Sequence, residues 1–192
     1  MALAFDDIER LFQLHGGTQY SGEPVTQTEH ALQTAFFAEQ AGADDELVTA
    51  ALLHDLGHLL NDRGDTPTLR GVDDLHQYCV LPFLRGLFST RVLGAIAGHV
   101  DAKRYLCATR PGYEAALSAD SQRSLVLQGG VFSAAEATAF AAQPHAMDAV
   151  ELRLWDDRAK IEGLVTPTMA HYLQKAGRCL LPPDGTSTHT AA

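Results

Sequence analysis

The sequence predicts a single all-α domain, and three observations predict it. Apolar residues recur at steps of three and four rather than two, alanine is abundant, and helix-opening signals head the long apolar stretches. Taken in order, Thr26-x-x-Glu29 is a capping-box pattern that opens a helix over 26–41, closed by Gly42. Residues 45–60 form a second helix with Leu47, Ala50, Ala51, His54 and His58 on one stripe. Ser89 caps a third that runs to Leu106 and aligns Val92, Ile96, His99 and Lys103 at steps of four, three and four. Asp148-x-x-Glu151 opens a fourth, through Lys160. Residues 61–73 and 126–134, around Gln128-Gly129-Gly130, read as loops, and 182–192 as a flexible C-terminal tail. Nothing repeats and no linker divides the chain, so 1–181 is expected to be one domain.

Composition narrows the function. The chain has 192 residues, 46% hydrophobic and 20% charged, enough to bury a sizeable core. Its 14 basic and 24 acidic residues leave a net charge of −10, which argues against nucleic acid or an anionic membrane as partner, since both need a dense cationic face. A small anionic substrate needs only a few local cations or a metal. Cys79, Cys107 and Cys179 are odd in number and lack CxxC spacing, so a reducing, cytoplasmic setting is expected. The opening residues have no basic region of the kind that begins a secretory leader, and no apolar run approaches the roughly 18 residues that span a bilayer. A monomer or weak homo-oligomer is expected.

The chemistry centres on Leu53-His54-Asp55-Leu56-Gly57-His58. Spacing of i and i+4 sends His54 and His58 from one helix face, and Asp55 stands beside them. Satisfied helix-face histidines are the bland reading. His30, His76, His99 and Asp156 weaken it, because each sits on its own segment, as a helical bundle requires to build an internal metal centre. Six ligands exceed one ion's usual protein share, so two metals bridged by Asp55 is the economical arrangement, and imidazole with carboxylate suits Fe, Mn or Zn. Pro82 follows His76 closely and should break the helix there. Lys103 lies one turn beyond His99, so its ammonium can reach an anion held at that metal. At about 4 Å and an effective dielectric near 20 the attraction is on the order of 4 kcal/mol.

In His30, His54-Asp55 and Asp156 the chain resembles the HD-domain pattern H…HD…D, shared by metal phosphohydrolases and a small group of di-iron oxygenases. The added His76 and His99 are similar to the two-metal members. Gln19-Tyr20-Ser21-Gly22-Glu23, Gly98-His99-Val100-Asp101-Ala102-Lys103-Arg104-Tyr105-Leu106, Leu127-Gln128-Gly129-Gly130 and Leu154-Trp155-Asp156 resemble, more specifically, the phosphonate-cleaving oxygenases of that group. The resemblance covers most of the chain. It implies an HD-domain helical bundle with an internal pair of iron ions, Fe(II)/Fe(III), and dioxygen as co-substrate. The implied reaction cleaves the C–P bond of a 1-hydroxy-2-aminoethylphosphonate or its N-trimethylated form, giving phosphate with glycine or glycine betaine. By the same resemblance His30, His54, Asp55 and Asp156 hold one iron, Asp55 bridges, and His76 and His99 hold the other. Tyr20 occupies that second iron at rest, Glu23 lies near the substrate amine, and His58, Lys103, Ser121 and Arg153 contact the phosphonate. The alternative is an HD-family phosphohydrolase acting on a nucleotide or small phosphate ester, for which the Tyr20–Glu23 pair has no evident use.

Overall fold

The structure, a computed structural model, describes residues 4–20, 22–60 and 67–182. Ser21, half of the 61–73 loop and nearly all of the expected tail lie outside the described residues. The described residues form α-helices without a strand: α1 (Phe5–His15), α2 (Gln27–Gln40), α3 (Asp45–Leu53), α4 (Leu56–Leu60), α5 (His76–Cys79), α6 (Leu81–Leu84), α7 (Thr90–Thr109), α8 (Tyr113–Ala116), α9 (Ala119–Leu127), α10 (Ala134–Ala141), α11 (Ala146–Asp156) and α12 (Met169–Arg178). None is long and apolar enough to cross a membrane.

The caps read from sequence at Thr26 and Ser89 are present. Thr26 Oγ1 accepts from the Glu29 amide at 3.1 Å while Glu29 accepts from the Thr26 amide at 2.7 Å, so two orphan donors of α2 are satisfied reciprocally. Ser89 Oγ accepts from the Val92 amide and starts α7. Gly42, at φ +78°, turns the chain after α2.

Three expectations are corrected. The single helix over 45–60 is two, interrupted at His54-Asp55. A regular helix sets neighbouring side chains about 100° apart, yet both of these are drawn inward: the His54 ring donates to the Ala51 carbonyl at 2.9 Å, and Asp55 turns between two histidine pairs. His54 Nε2 lies 3.3 Å from one oxygen of Asp55 and His58 Nε2 3.9 Å from the other. The helix expected to run from Asp148 to Lys160 spans Ala146–Asp156 instead, so its start is set by His145 in a left-handed conformation and Lys160 lies beyond its end. Leaving the helix at Asp156 turns the Ala159 carbonyl toward His30. Within the loop expected over 61–73, Pro67–Arg70 forms a 3-10 turn. Pro82 does what its ring requires: the chain breaks at Val80 and the proline sits in the first turn of α6, where it lacks no needed donor.

Packing organises around α7. Its first half, with α2, α3 and α12, encloses one apolar cluster that includes Leu52, Leu53, Ile96 and Tyr172. Its second half, with α9, α10 and α11, encloses another around Leu106, Leu125 and Phe140. Each fully buried side chain of this kind contributes about 1.5–3 kcal/mol. Gly98 lets α7 approach α11 closely, since a Cβ there would sit 2.9 Å from the Ala149 methyl. A second close approach matters more for function: at Gly57 of α4 a Cβ would lie 2.1 Å from the His76 carbonyl oxygen. That oxygen is backbone and cannot swing aside. Gly57→Ala should therefore destabilise the protein by about 1–3 kcal/mol, read as a lowered urea midpoint; an unchanged midpoint would show that α5 is not held against α4 at this point.

Candidate metal centre

Six buried side chains converge between the two core clusters: His30 of α2, His54 and Asp55 at the α3–α4 break, His76 opening α5, His99 of α7 and Asp156 closing α11. They fall into two groups that share one carboxylate. Asp55 Oδ2 lies 3.5 Å from His30 Nε2 and 3.3 Å from His54 Nε2, and Asp156 Oδ1 is 3.4 Å from His30 Nε2. Asp55 Oδ1 lies 3.2 Å from His76 Nε2 and 3.6 Å from His99 Nε2. Each oxygen of one aspartate thus faces a different pair of imidazoles.

The other ring nitrogens decide what these groups can hold. His30 Nδ1 donates to the Ala159 carbonyl at 2.8 Å, His54 Nδ1 to Ala51 and His99 Nδ1 to the Ile96 carbonyl at 2.7 Å. His76 Nδ1 donates to Asp74 at 2.8 Å. Carbonyls and carboxylates only accept, so all four Nδ1 atoms carry hydrogen, and a neutral ring then presents a bare lone pair at Nε2. The lone pairs meet head on, 3.3 Å apart for His30 and His54 and 3.1 Å for His76 and His99. Asp156 Oδ1 is buried and has no hydrogen-bond partner. Electron pairs so arranged require a cation between them. Donors 2.0–2.2 Å from one ion lie about 3–3.5 Å apart, which is the spacing found. The donors are nitrogen and oxygen with no thiolate, a set suited to Fe, Mn or Zn.

In the protein alone, protons must stand in for that charge. Burial disfavours the imidazolium, but Asp156 and Asp55 override it and push His30 up to about 9, and Asp55 with Asp74 pushes His76 up to about 10. His99 is driven well below its ordinary value by burial and by neighbouring His54 and His76. Against the cost of burial, the surrounding histidines hold Asp55 well below the usual carboxylate range.

Two carboxylate supports stand behind the ligands. Arg153, buried, ion-pairs Asp156 Oδ2 at 2.9 Å and also Asp157, leaving Asp156 Oδ1 directed inward. Asp74 bonds His76 through one oxygen and His58 Nδ1 at 2.7 Å through the other. His58 stacks on His76 with centroids 4.0 Å apart. Sequence reasoning does not find Asp74; its position two residues before His76 is the signal that was there.

A cavity of about 50 Å³ adjoins Asp55, His76, His99 and Asp156. Of the residues expected to meet substrate, Tyr20, His58, Lys103, Ser121 and Arg153 line it. Tyr20 stacks on His30 with centroids 3.8 Å apart, and burial with nearby Asp55 and Asp156 raises its phenol well above the ordinary value. Lys103 is buried, donates to Ser124 at 2.7 Å, and is lowered to about 7 by burial and by Arg153. Glu23 is the exception. It is not on the cavity wall, and its carboxylate is 3.4 Å from Lys160 Nζ, a residue the sequence does not single out.

The HD domain profile matches residues 28–128. The chain is 43% identical over 171 residues to a hydroxymethylphosphonate dioxygenase of Gimesia maris, covering 88% of this chain and 85% of that one. It is 38% identical over 162 residues to a glycine-betaine-forming [1-hydroxy-2-(trimethylamino)ethyl]phosphonate dioxygenase of Leisingera caerulea, covering 84% and 83%. An uncharacterized protein of Acanthamoeba polyphaga mimivirus is 34% identical over 157 residues, 80% of this chain and 71% of that one.

A centre built from opposed lone pairs should be stabilised by the ion it fits. Adding Fe(II) or Mn(II) to chelated protein should raise the melting midpoint, by the equivalent of about 2.7 kcal/mol at a hundredfold excess over the dissociation constant. Asp55→Ala should abolish the rise, and Asp74→Ala should weaken the metal affinity by about 10–100-fold. Midpoints indifferent to metal would contradict the fit.

Proposed function

The chain belongs to the HD-domain family, and on that premise we propose that it is a di-iron oxygenase that uses dioxygen to cleave the C–P bond of a small 1-hydroxyphosphonate. The single observation that carries this reading is the pairing of Asp55's two oxygens with two separate histidine pairs beside a cavity lined by Lys103. The names of the two dioxygenase relatives support it. In the balanced reaction the substrate's C–H and C–P bonds break, both oxygen atoms of O2 enter products, the carbon leaves as a carboxylate and phosphorus as inorganic phosphate.

In this reading His30, His54, Asp156 and Asp55 hold one iron, and His76, His99 and Asp55 the other. Bound there as Fe(II)/Fe(III), the pair supplies with dioxygen the oxidising power that no side chain here has. The protein supplies geometry and selection. The carbonyls of Ala51, Ile96 and Ala159 and the carboxylate of Asp74 fix the ring tautomers, so each ligand meets its ion without reorganising. Arg153 keeps Asp156 anionic and aimed. Tyr20, flat against His30, covers the centre and excludes water. Lys103, whose hydrogen-bond acceptor is the neutral hydroxyl of Ser124, is the cation available to a phosphonate, with Ser121 beside it on the wall. Asp74 holds His58 through Nδ1, and the ring, whose Nε2 lies 3.9 Å from Asp55, stands on the cavity wall. Three free cysteines and the need for reduced iron suit a reducing cytosol.

The oxygen requirement tests the reading. Iron-loaded protein should release phosphate from hydroxymethylphosphonate or a 1-hydroxy-2-aminoethylphosphonate under air and stop under argon; release that persists without oxygen would make it a hydrolase. Lys103 should set the pH dependence. Its charge is present below about 7 and lost as pH rises through that value, so KM for the dianion should climb above pH 7. Lys103→Ala should raise KM tenfold or more at pH 6.5, about 1.4 kcal/mol, and flatten the climb. An unchanged KM would return this lysine to a structural role.

A further inference from the structure

Lys160 is the cation beside the cavity that the proposed mechanism leaves unused. It stands four residues past Asp156, outside α11, with its side chain mostly buried. An ammonium has three hydrogens to donate, and Lys160 has three acceptors within reach: Glu23 Oε1 at 3.4 Å, Ser118 Oγ at 3.3 Å and Ser121 Oγ at 3.4 Å. Its Nζ also lies 5.8 Å from the Tyr20 ring centroid. Tyr20 and Ser121 line the cavity, while Glu23 and Lys160 do not, so the ion pair backs the wall that those two side chains form.

Among the described residues, the remaining carboxylates on that cavity are engaged as well. Asp55, Asp74 and Asp156 face histidines, with Arg153 added at Asp156. Asp120 accepts from Thr68 and from Arg123 at 3.0 Å. Asp73 accepts from the Leu75 amide at 3.3 Å. A substrate carrying its own ammonium would therefore enter a cavity already occupied on that side by an internal one. It would have to displace Lys160 from Glu23, or sit beside Lys103, Arg153 and Lys160 as a further positive charge.

Resting on the oxygenase reading, we propose that Lys160 is a specificity-determining residue. Its ammonium fills a cation site made by Glu23, Ser118 and Ser121, so the enzyme selects 1-hydroxyphosphonates without a cationic substituent, hydroxymethylphosphonate above all, over 2-ammonio homologues. The selection is electrostatic negative discrimination rather than size alone: removing one cation should open the site to another.

The test compares hydroxymethylphosphonate with 1-hydroxy-2-aminoethylphosphonate in wild type, Lys160→Met, Lys160→Arg and Lys160→Met/Glu23→Gln. Turnover is read as kcat/KM. In parallel, anaerobic calorimetry reads binding of the unreactive analogues methylphosphonate and 2-aminoethylphosphonate. Wild type should prefer the unaminated member of each pair at least tenfold. Lys160→Met should shrink that ratio tenfold or more by improving the aminated ligand, Lys160→Arg should keep it, and adding Glu23→Gln should remove the gain. A wild type without preference overturns the proposal. So does a Lys160→Met variant that loses both ligands equally, which would make the lysine a structural latch, or a gain that survives Glu23→Gln, which would assign the ammonium to Asp73. If neither substrate is cleaved under air yet the binding ratios behave as stated, the oxygenase reading fails and the cation site stands.

Discussion

The constraint on which this structure depends is the fixed tautomer of four histidines. Each Nδ1 hydrogen is committed outward, to Ala159, Ala51, Asp74 or Ile96, so each Nε2 lone pair is committed inward. Four inward lone pairs and the two oxygens of Asp55 cannot share so small a volume without positive charge. The fold around them is arranged to keep them from moving apart. α7 packs its first half in one apolar cluster and its second half in the other with His99 between them, α11 ends where Asp156 must enter, and Gly57 lets α4 lie against the backbone of His76. The interruption at His54-Asp55 belongs to the same requirement, since it frees two adjacent side chains to point at one centre.

Electrostatics then separates the site from the surface. The chain is acidic as a whole, yet the charges at the cavity are matched locally. Asp55, Asp74, Asp120 and Asp156 there meet imidazoles or guanidinium, Asp73 accepts from the Leu75 amide, and behind the wall Glu23 meets Lys160. Lys103 differs in donating to a neutral hydroxyl, and burial with the nearby Arg153 lowers its pKa. A dianionic phosphonate entering the cavity supplies the partner that Lys103 lacks. In the proposed account, selectivity for anions therefore comes from one uncompensated cation, and discrimination against cations from one compensated anion.

Much of this is legible in the sequence, because metal-ligating side chains are few in kind. His30, His54, Asp55, His76, His99 and Asp156 can be picked out by residue type and by their separation onto different segments, and the structure brings all of them together. The caps at Thr26 and Ser89 are legible because they are local. What is not legible depends on contacts between distant segments. The break after Leu53 follows from interior demands that no spacing records. Asp74 reads as one more loop carboxylate until its two oxygens are seen on His58 and His76. Lys160 reads as a helix residue until the helix is found to end at Asp156. Glu23, expected near the substrate amine, pairs with that lysine, and a pairing between residues so far apart in the chain leaves no local signal.

The central claim is that one aspartate is shared by two ions. A crystal of iron-loaded protein, with anomalous diffraction measured on both sides of the iron absorption edge, tests it most directly. The account predicts two iron peaks flanking the Asp55 carboxylate, one against His30, His54 and Asp156 and the other against His76 and His99. A single peak, or a second one away from Asp55, would contradict it.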